Sequence, residues 1–176
     1  AYNFTPDDKW YDDVRKSSLR FASWCSASFV SPNGLIMTNH HCSRDVAPQL
    51  QKEGEDFDKN GFYAATQADE RKAEGLFVEQ MIMAADISDK VLKIMEKAKD
   101  DVERKIFQDS ALAQVSREYQ QMDGWKGLRL QTVTFYSGGK FSIYGYKRYN
   151  DIRLVMIPET NLGFFGVDLD NLTFPR

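Results

Sequence analysis

The sequence contains no long hydrophobic run and no excess of charge of one sign. Its mean hydropathy is -0.52, and no stretch approaches the roughly 18 apolar residues that a membrane-spanning helix needs. The 23 basic residues are balanced by 26 acidic ones spread along the chain, so there is no basic stripe for binding nucleic acid. Hydrophobic residues make up 42% of the 176 positions, which is enough to form the core of an ordinary folded domain.

Cysteine is also scarce, but the two cysteines are placed informatively. Two cysteines in a chain of this size are commonly free buried thiols. Here Cys25 and Cys42 flank two short apolar strands joined by the turn Pro32-Asn33-Gly34. A hairpin brings its ends together, so the two sulfurs could form a disulfide, which would close the loop and stabilise the fold by about 3 kcal/mol. Such a bond would require an oxidising compartment.

Periodicity predicts a mixture of helices and short antiparallel strands. A first helix is expected from Thr5-Pro6-Asp7, with Thr5 as its cap, to Ser17. A strand is expected around Leu76–Met83, followed by helical segments over about 88–122, where Asp109-Ser110 is a second helix start. The apolar stripe of these segments comprises Val91, Ile94, Met95, Ala98, Val102, Ile106, Leu112, Val115 and Tyr119.

The C-terminal third changes to a period of two, which indicates strands. A hairpin is expected over 128–146 with the turn Ser137-Gly138-Gly139-Lys140, then one strand over 151–157 and another over 162–166. No repeat or linker divides the chain. The fold class is therefore α+β, mainly β, with a helical insertion at about 88–122.

The motif that suggests chemistry is Thr38-Asn39-His40-His41-Cys42, which follows an apolar strand. A histidine at the end of a strand and directly before a bridged cysteine would be held in a fixed orientation. This motif resembles the segment of chymotrypsin-like peptidases in which a histidine, here His41, is the general base. In those peptidases the following cysteine is bonded to one at the start of the hairpin.

The resemblance extends over nearly the whole chain. The segments 29–42, 144–155 and 164–176 resemble, in this order, the bacterial dipeptidyl-peptidase 7 and dipeptidyl-peptidase 11 family. The resemblance implies a partial trypsin-like β-barrel with helical insertions, and it implies that residues 1–176 are the N-terminal portion of a longer serine peptidase. That family releases dipeptides from the free amino end of peptides, in the bacterial periplasm or at the cell surface.

The resemblance also assigns roles to individual residues. His41 would be the catalytic base, and Asn171 would accept a hydrogen bond from the substrate ammonium, with Leu172 where the family usually has an aromatic residue. The catalytic serine, and the aspartate that orients the histidine, would follow Arg176, so this chain alone would be inactive. Asp168 and Asp170 are the alternative candidates for the triad acid.

Other interpretations remain open at this point. A metal site could use adjacent histidines with Asp168 and Asp170, but neighbouring side chains on a strand point to opposite faces, so no metal and no cofactor is expected. An inactive trypsin-like binding module and an endopeptidase of the same clan are the alternative functions. The expected partners are peptides with a free N-terminus, the expected location is periplasmic or secreted, and a homodimer of the full-length protein is a further expectation.

Overall fold

The computed structural model describes residues 4–163, which form helices and antiparallel strands. The helices are α1 Asp8–Ser17, α2 His40–Ser43, α3 Phe57–Asn60, α4 Ser88–Met95, α5 Asp101–Gln121 and α6 Thr160–Gly163, with short 3-10 turns at Ala47–Leu50, Gln67–Asp69 and Tyr136–Gly138. The strands are β1 Ser18–Phe21, β2 Cys25–Phe29, β3 Ile36–Thr38, β4 Phe62–Tyr63, β5 Arg71–Lys72, β6 Val78–Asp86, β7 Arg129–Phe135, β8 Lys140–Tyr149, β9 Arg153–Leu154 and β10 Met156–Ile157. The predicted α+β class is confirmed.

The chain divides into two compact units. Among the described residues, the first unit comprises 4–79 and 149–163 and the second comprises 80–148. None of the helices in the described part of the chain is both long and apolar enough to cross a membrane.

The first unit is built on an antiparallel meander in the order β3-β2-β1, beside the start of β6. Leu19 and Phe21 alternate inward from β1 and are 4% and 5% exposed, as the period of two requires. The predicted β2-β3 hairpin is confirmed. Its turn depends on Gly34, whose φ of +85° lies in the left-handed region that a side chain disfavours.

The boundaries of α1 differ from the prediction at the start. Thr5 was expected to cap the helix, but the structure makes Asp7 the cap, because its carboxylate accepts a hydrogen bond from the Trp10 N–H at 2.8 Å. The helix ends at Ser17, as predicted.

The second unit packs α4 and α5 against β8 and the rest of β6. Its core includes Val91 and Met95 of α4 and Ala111 and Val115 of α5, each pair spaced by one helical turn on one face. The predicted hairpin over 128–146 is present as β7 and β8, paired from Arg129↔Tyr146 to Phe135↔Lys140.

The helix break lies at Asp100, earlier than the expected restart at Asp109-Ser110. The Asp100 carboxylate accepts a hydrogen bond from the Glu103 N–H at 2.8 Å and so starts α5, whereas Asp109 and Ser110 lie within that helix. The break interrupts the apolar stripe. Val102 and Ile106, which were expected on the buried face, are therefore 72% and 59% exposed.

Two expected strands differ from the structure at the C-terminal side. The single strand expected over 151–157 is two short strands, because β9 pairs with β5 whereas β10 pairs with β4. The strand expected over 162–166 is wrong where the structure describes it, since residues 162 and 163 belong to α6. Residues 164–166 lie outside the described range.

The Arg71 side chain of β5 connects the loop before α3 to two aromatic rings. The Arg71 guanidinium donates to both carboxylate oxygens of Glu55 and, at 2.7 Å, to the Leu50 carbonyl. It also lies over the rings of Phe62 and Phe57, at 4.5 and 5.3 Å from their centroids. Planar guanidinium geometry suits both contacts, so this one side chain orders the loop.

This cluster gives the protein an acid-sensitive contribution to stability. The hydrogen bond from Arg71, followed by one from the Lys52 N–H, lowers the pKa of the Glu55 carboxyl to about 2 from 4.5. The carboxylate therefore stabilises the fold above pH 4.5, and this stabilisation is lost as the pH falls toward 2.

We expect Glu55→Gln to make the free energy of unfolding less dependent on pH in that window, as measured by urea denaturation. As a control, Glu53→Gln removes the same formal charge at a neighbouring exposed position and should keep the wild-type slope of unfolding free energy against pH. Equal slopes in the wild type and both variants would contradict the prediction.

Candidate active site

A disulfide ties the start of the hairpin to the turn that follows it. Cys25 opens β2 and Cys42 lies in α2, and their sulfurs are bonded with the two Cα atoms 6.0 Å apart. Cys42 is 3% exposed and packs in the apolar cluster with Leu19 and Val78. The bridge that the sequence predicted is therefore present, and it fixes the residue directly after His41.

His41 lies on a helical turn instead of at the end of a strand. Strand β3 ends at Thr38, Asn39 is extended, and α2 then begins at His40. The turn is closed by hydrogen bonds from the Cys42 N–H to the Asn39 carbonyl and from the Ser43 hydroxyl to the His40 carbonyl, both 3.0 Å long. These contacts set the backbone from which the His41 ring projects.

The His41 ring is half-buried beside the disulfide. One of its nitrogens and the two sulfurs of Cys25 and Cys42 all lie within 4.8 Å of one another. A bonded sulfur is not a thiolate and carries no charge for a metal ion, so in this oxidised state the three residues are not a ligand set. The sulfurs instead form an apolar wall against one side of the imidazole.

A tryptophan next to the bridge was not anticipated from the sequence. The Trp24 indole N–H donates to the Cys42 carbonyl at 3.4 Å, although the Trp24 side chain as a whole is 61% exposed. One signal for this contact was present in the sequence, namely that Trp24 directly precedes Cys25. Its exposed ring leaves an aromatic surface open beside the bridge.

His40 lies in a different environment from His41. It lines a shallow pocket with Arg44, Asp58, Pro158 and Thr160. Burial, followed by the charge of Arg44, lowers the pKa of the His40 imidazole, while the charge of Asp58 opposes the shift. The two histidines thus have different surroundings, and they follow each other around a helical turn and not along a strand as was expected.

The pocket joins segments that are far apart in the chain. The Thr160 hydroxyl donates to the Asp58 carboxylate at 2.8 Å, which connects α6 to α3. Gly163, at the end of α6, lies against the His40 ring, since a Cβ atom at that position would be 2.6 Å from the ring Cδ2 and 2.7 Å from Nε2. Only glycine leaves room for the ring there.

Gly163→Ala should therefore lower stability. Because the new methyl would overlap the ring, we expect the free energy of unfolding to fall by about 1–3 kcal/mol. The check is a double-mutant cycle by urea denaturation: if the overlap is the cause, His40→Ala should cancel most of the effect of Gly163→Ala. Additive losses in the double variant would contradict the contact.

The remaining predicted site residues lie outside the described residues 4–163. These are the candidate triad acids Asp168 and Asp170 and the candidate substrate-binding residues Asn171 and Leu172. Their roles, and that of His41, stay predictions.

The described geometry suits proton transfer. A half-exposed imidazole can accept a proton from a neighbouring hydroxyl and return it to a leaving group. The disulfide and the helical turn supply the fixed orientation that such transfers require.

The chain belongs to the peptidase S46 family, whose model matches residues 1–176. Among curated proteins, it is 32% identical over 161 residues to dipeptidyl-peptidase 7 of Phocaeicola vulgatus, which covers 89% of this chain and 22% of that protein. It is 31% identical over 168 residues to the Asp/Glu-specific dipeptidyl-peptidase of Capnocytophaga gingivalis, covering 93% of this chain and 23% of the relative.

Solved structures agree. A crystal structure of Porphyromonas endodontalis DPP11 matches with a TM-score of 0.75 and 28% identity, covering 93% of this chain and 23% of that one. A structure of the same protein in complex with substrate matches with a TM-score of 0.73 and 27% identity, covering all of this chain and 25% of that one. This likeness is consistent with a partial barrel carrying helical insertions. The chain thus spans about a quarter of the length of the relatives that it matches.

Proposed function

We propose that the full-length protein is a serine dipeptidyl aminopeptidase in which His41 is the general base. The observation that carries the proposal is the half-buried imidazole of His41, which is part of a helical turn and lies beside the Cys25–Cys42 disulfide. Membership of the peptidase S46 family and the likeness to dipeptidyl-peptidases support the reaction class.

In the proposed reaction, the His41 imidazole takes the proton of a serine hydroxyl as the serine oxygen attacks the carbonyl carbon of the second peptide bond. The resulting imidazolium then gives this proton to the leaving amine, so the peptide bond breaks and a dipeptidyl ester remains on the serine. The same imidazole then takes a proton from water as the water oxygen attacks the ester carbonyl carbon, and it gives this proton to the serine oxygen as the ester bond breaks and the dipeptide is released. The serine would lie beyond Arg176, as would the orienting aspartate unless Asp168 or Asp170 takes that role.

Recognition of the substrate's amino end is assigned to the segment that contains Asn171 and Leu172. The side-chain amide oxygen of Asn171 can accept a hydrogen bond from an ammonium group. An acylated amino terminus has no ammonium group. Leu172 would supply an apolar wall smaller than the usual aromatic one.

The disulfide also supports a location. Disulfides persist in oxidising compartments and are rare in the reducing cytosol, so we assign the protein to the periplasm or the exterior of a bacterial cell.

Hydrolysis of one dipeptidyl reporter with a free and with an acylated amino terminus tests the proposal. We expect the full-length protein to cleave the free reporter and to lose nearly all kcat/KM on the blocked one, because the ammonium is part of the recognition. Equal cleavage of both would indicate an endopeptidase of the same clan. Peptide binding without cleavage of either would indicate an inactive binding module.

A further inference from the structure

Two asparagines in the sequence are directly followed by glycine, at positions 33–34 and 60–61. In such a pair the backbone nitrogen of the glycine can attack the asparagine side chain, because glycine has no side chain to hinder the approach. Both asparagines are exposed, but their backbones are held very differently. We propose that Asn33 is a site of spontaneous deamidation in the folded protein, whereas Asn60 is protected by the fold.

The modification proceeds through a cyclic imide. A hydroxide ion takes the proton of the glycine N–H, and the nitrogen attacks the side-chain carbonyl carbon of the asparagine. The bond from that carbon to the side-chain nitrogen breaks, and this nitrogen leaves as ammonia after taking a proton from water. Water then opens the five-membered ring at either carbonyl carbon. The product is aspartic acid, or isoaspartic acid, in which the main chain runs through the side-chain carbon.

Little in the structure opposes ring closure at Asn33. This residue and Gly34 lie in the turn between β2 and β3, and both are exposed. The Gly34 N–H donates to the Ser31 carbonyl at 3.4 Å, which is longer than the usual range of about 2.7–3.2 Å. Apart from the adjacent residues, no described residue has a heavy atom within 4 Å of the place where a Cβ atom of Gly34 would be. The attacking nitrogen is therefore weakly held, and the backbone around it has room to move.

The backbone of Asn60 is fixed at the end of a helix. Asn60 is the last residue of α3, where its N–H donates to the Asp56 carbonyl at 2.9 Å. The Gly61 N–H donates to the Phe57 carbonyl, also at 2.9 Å. A Cβ atom at Gly61 would be 2.7 Å from the carbonyl oxygen of Ile157, so the chain packs closely against β10 there. Ring closure at Asn60 would have to break the hydrogen bond of the attacking nitrogen and disturb this packing.

Isoaspartate at position 33 would lengthen the main chain of the hairpin turn by one methylene. The turn is closed by a hydrogen bond of 2.9 Å from the Val30 N–H to the Leu35 carbonyl, and the strands pair from Phe29↔Ile36 onward. A longer turn no longer matches this register. We therefore expect the isoaspartate form to unfold at a lower urea concentration than Asn33→Asp, which has the same charge without the additional methylene.

Peptide mapping of the full-length protein measures both sites in one sample. The folded protein is incubated at mildly alkaline pH, digested under acidic conditions that suppress imide formation, reduced, and analysed by mass spectrometry. Replacement of the side-chain nitrogen by oxygen changes the peptide mass, and isoaspartate is separated from aspartate by chromatography. We expect Asn33 to react at least about fivefold faster than Asn60, which is the factor that one retained hydrogen bond supplies.

The same protein unfolded in guanidinium chloride is the control. Both asparagines then lie in an unfolded chain and are still followed by glycine, so their rates should become similar. In the folded state, Asn33→Gln should not form the acidic product at this position at a comparable rate, since its longer side chain would have to close a six-membered ring.

Three results in the folded protein would overturn the proposal, namely equal rates at the two sites, a faster reaction at Asn60, or no reaction at Asn33. A rate difference that stays the same in guanidinium chloride would also overturn it, because the neighbouring residues and not the fold would then set the two rates.

Discussion

Replacing His41 with alanine in the full-length protein is expected to lower kcat for the dipeptidyl reporter by at least about a thousandfold. The serine hydroxyl has no other group in the proposed mechanism to take its proton, so both acylation and deacylation lose their base. KM should change far less, because the side chain is assigned to proton transfer and not to binding. Steady-state kinetics on the purified protein is the measurement.

The adjacent histidine supplies the control for that experiment. His40 lines the pocket with Asp58 and Thr160, and neither cysteine of the disulfide lines it. His40→Gln should therefore retain kcat within about tenfold, since it changes packing and not the proton-transfer step. If both variants lost activity equally, or if His41→Ala remained active, the assignment of the base would be wrong.

Local signals were enough to predict the part of the site that depends on neighbouring residues. Pro32-Asn33-Gly34 predicts a tight turn, the turn predicts a hairpin, and the hairpin brings Cys25 close to Cys42. Each step involves residues within 17 positions of one another. The position of the half-buried imidazole beside the bridge follows from that geometry.

Contacts between distant segments could not be predicted in the same way. Asp58 and Thr160 are 102 residues apart, and nothing in either local sequence marks the other as a partner. The contact between Gly163 and His40 also joins segments that are far apart in the chain. Both contacts involve the helical turn α6, which begins where the apolar run over 162–166 predicted a strand.

Competing local signals explain the misplaced helix break. Asp100 and Asp109-Ser110 both offer side chains that can cap a helix, and the apolar spacing continues across both. The packing of α4 on α5 decides between them, because Val91 and Met95 meet Ala111 and Val115 only if the chain turns near residue 100. A single sequence contains the two candidates but not the packing that selects one.

Removal of the disulfide is expected to cost about 3 kcal/mol of unfolding free energy, because the bond closes a loop with a sequence separation of 17. Urea denaturation of Cys25→Ala/Cys42→Ala against the oxidised wild type measures the loss.

The reduced wild type distinguishes the bond from the packing of the sulfurs. It keeps both sulfur atoms in place of the alanine methyls, so its stability should lie close to that of the double variant if the cross-link is the main contribution. A reduced protein as stable as the oxidised one would show that the cluster around Cys42 holds the turn by itself. In that case the orientation of His41 would depend on packing and not on the bridge.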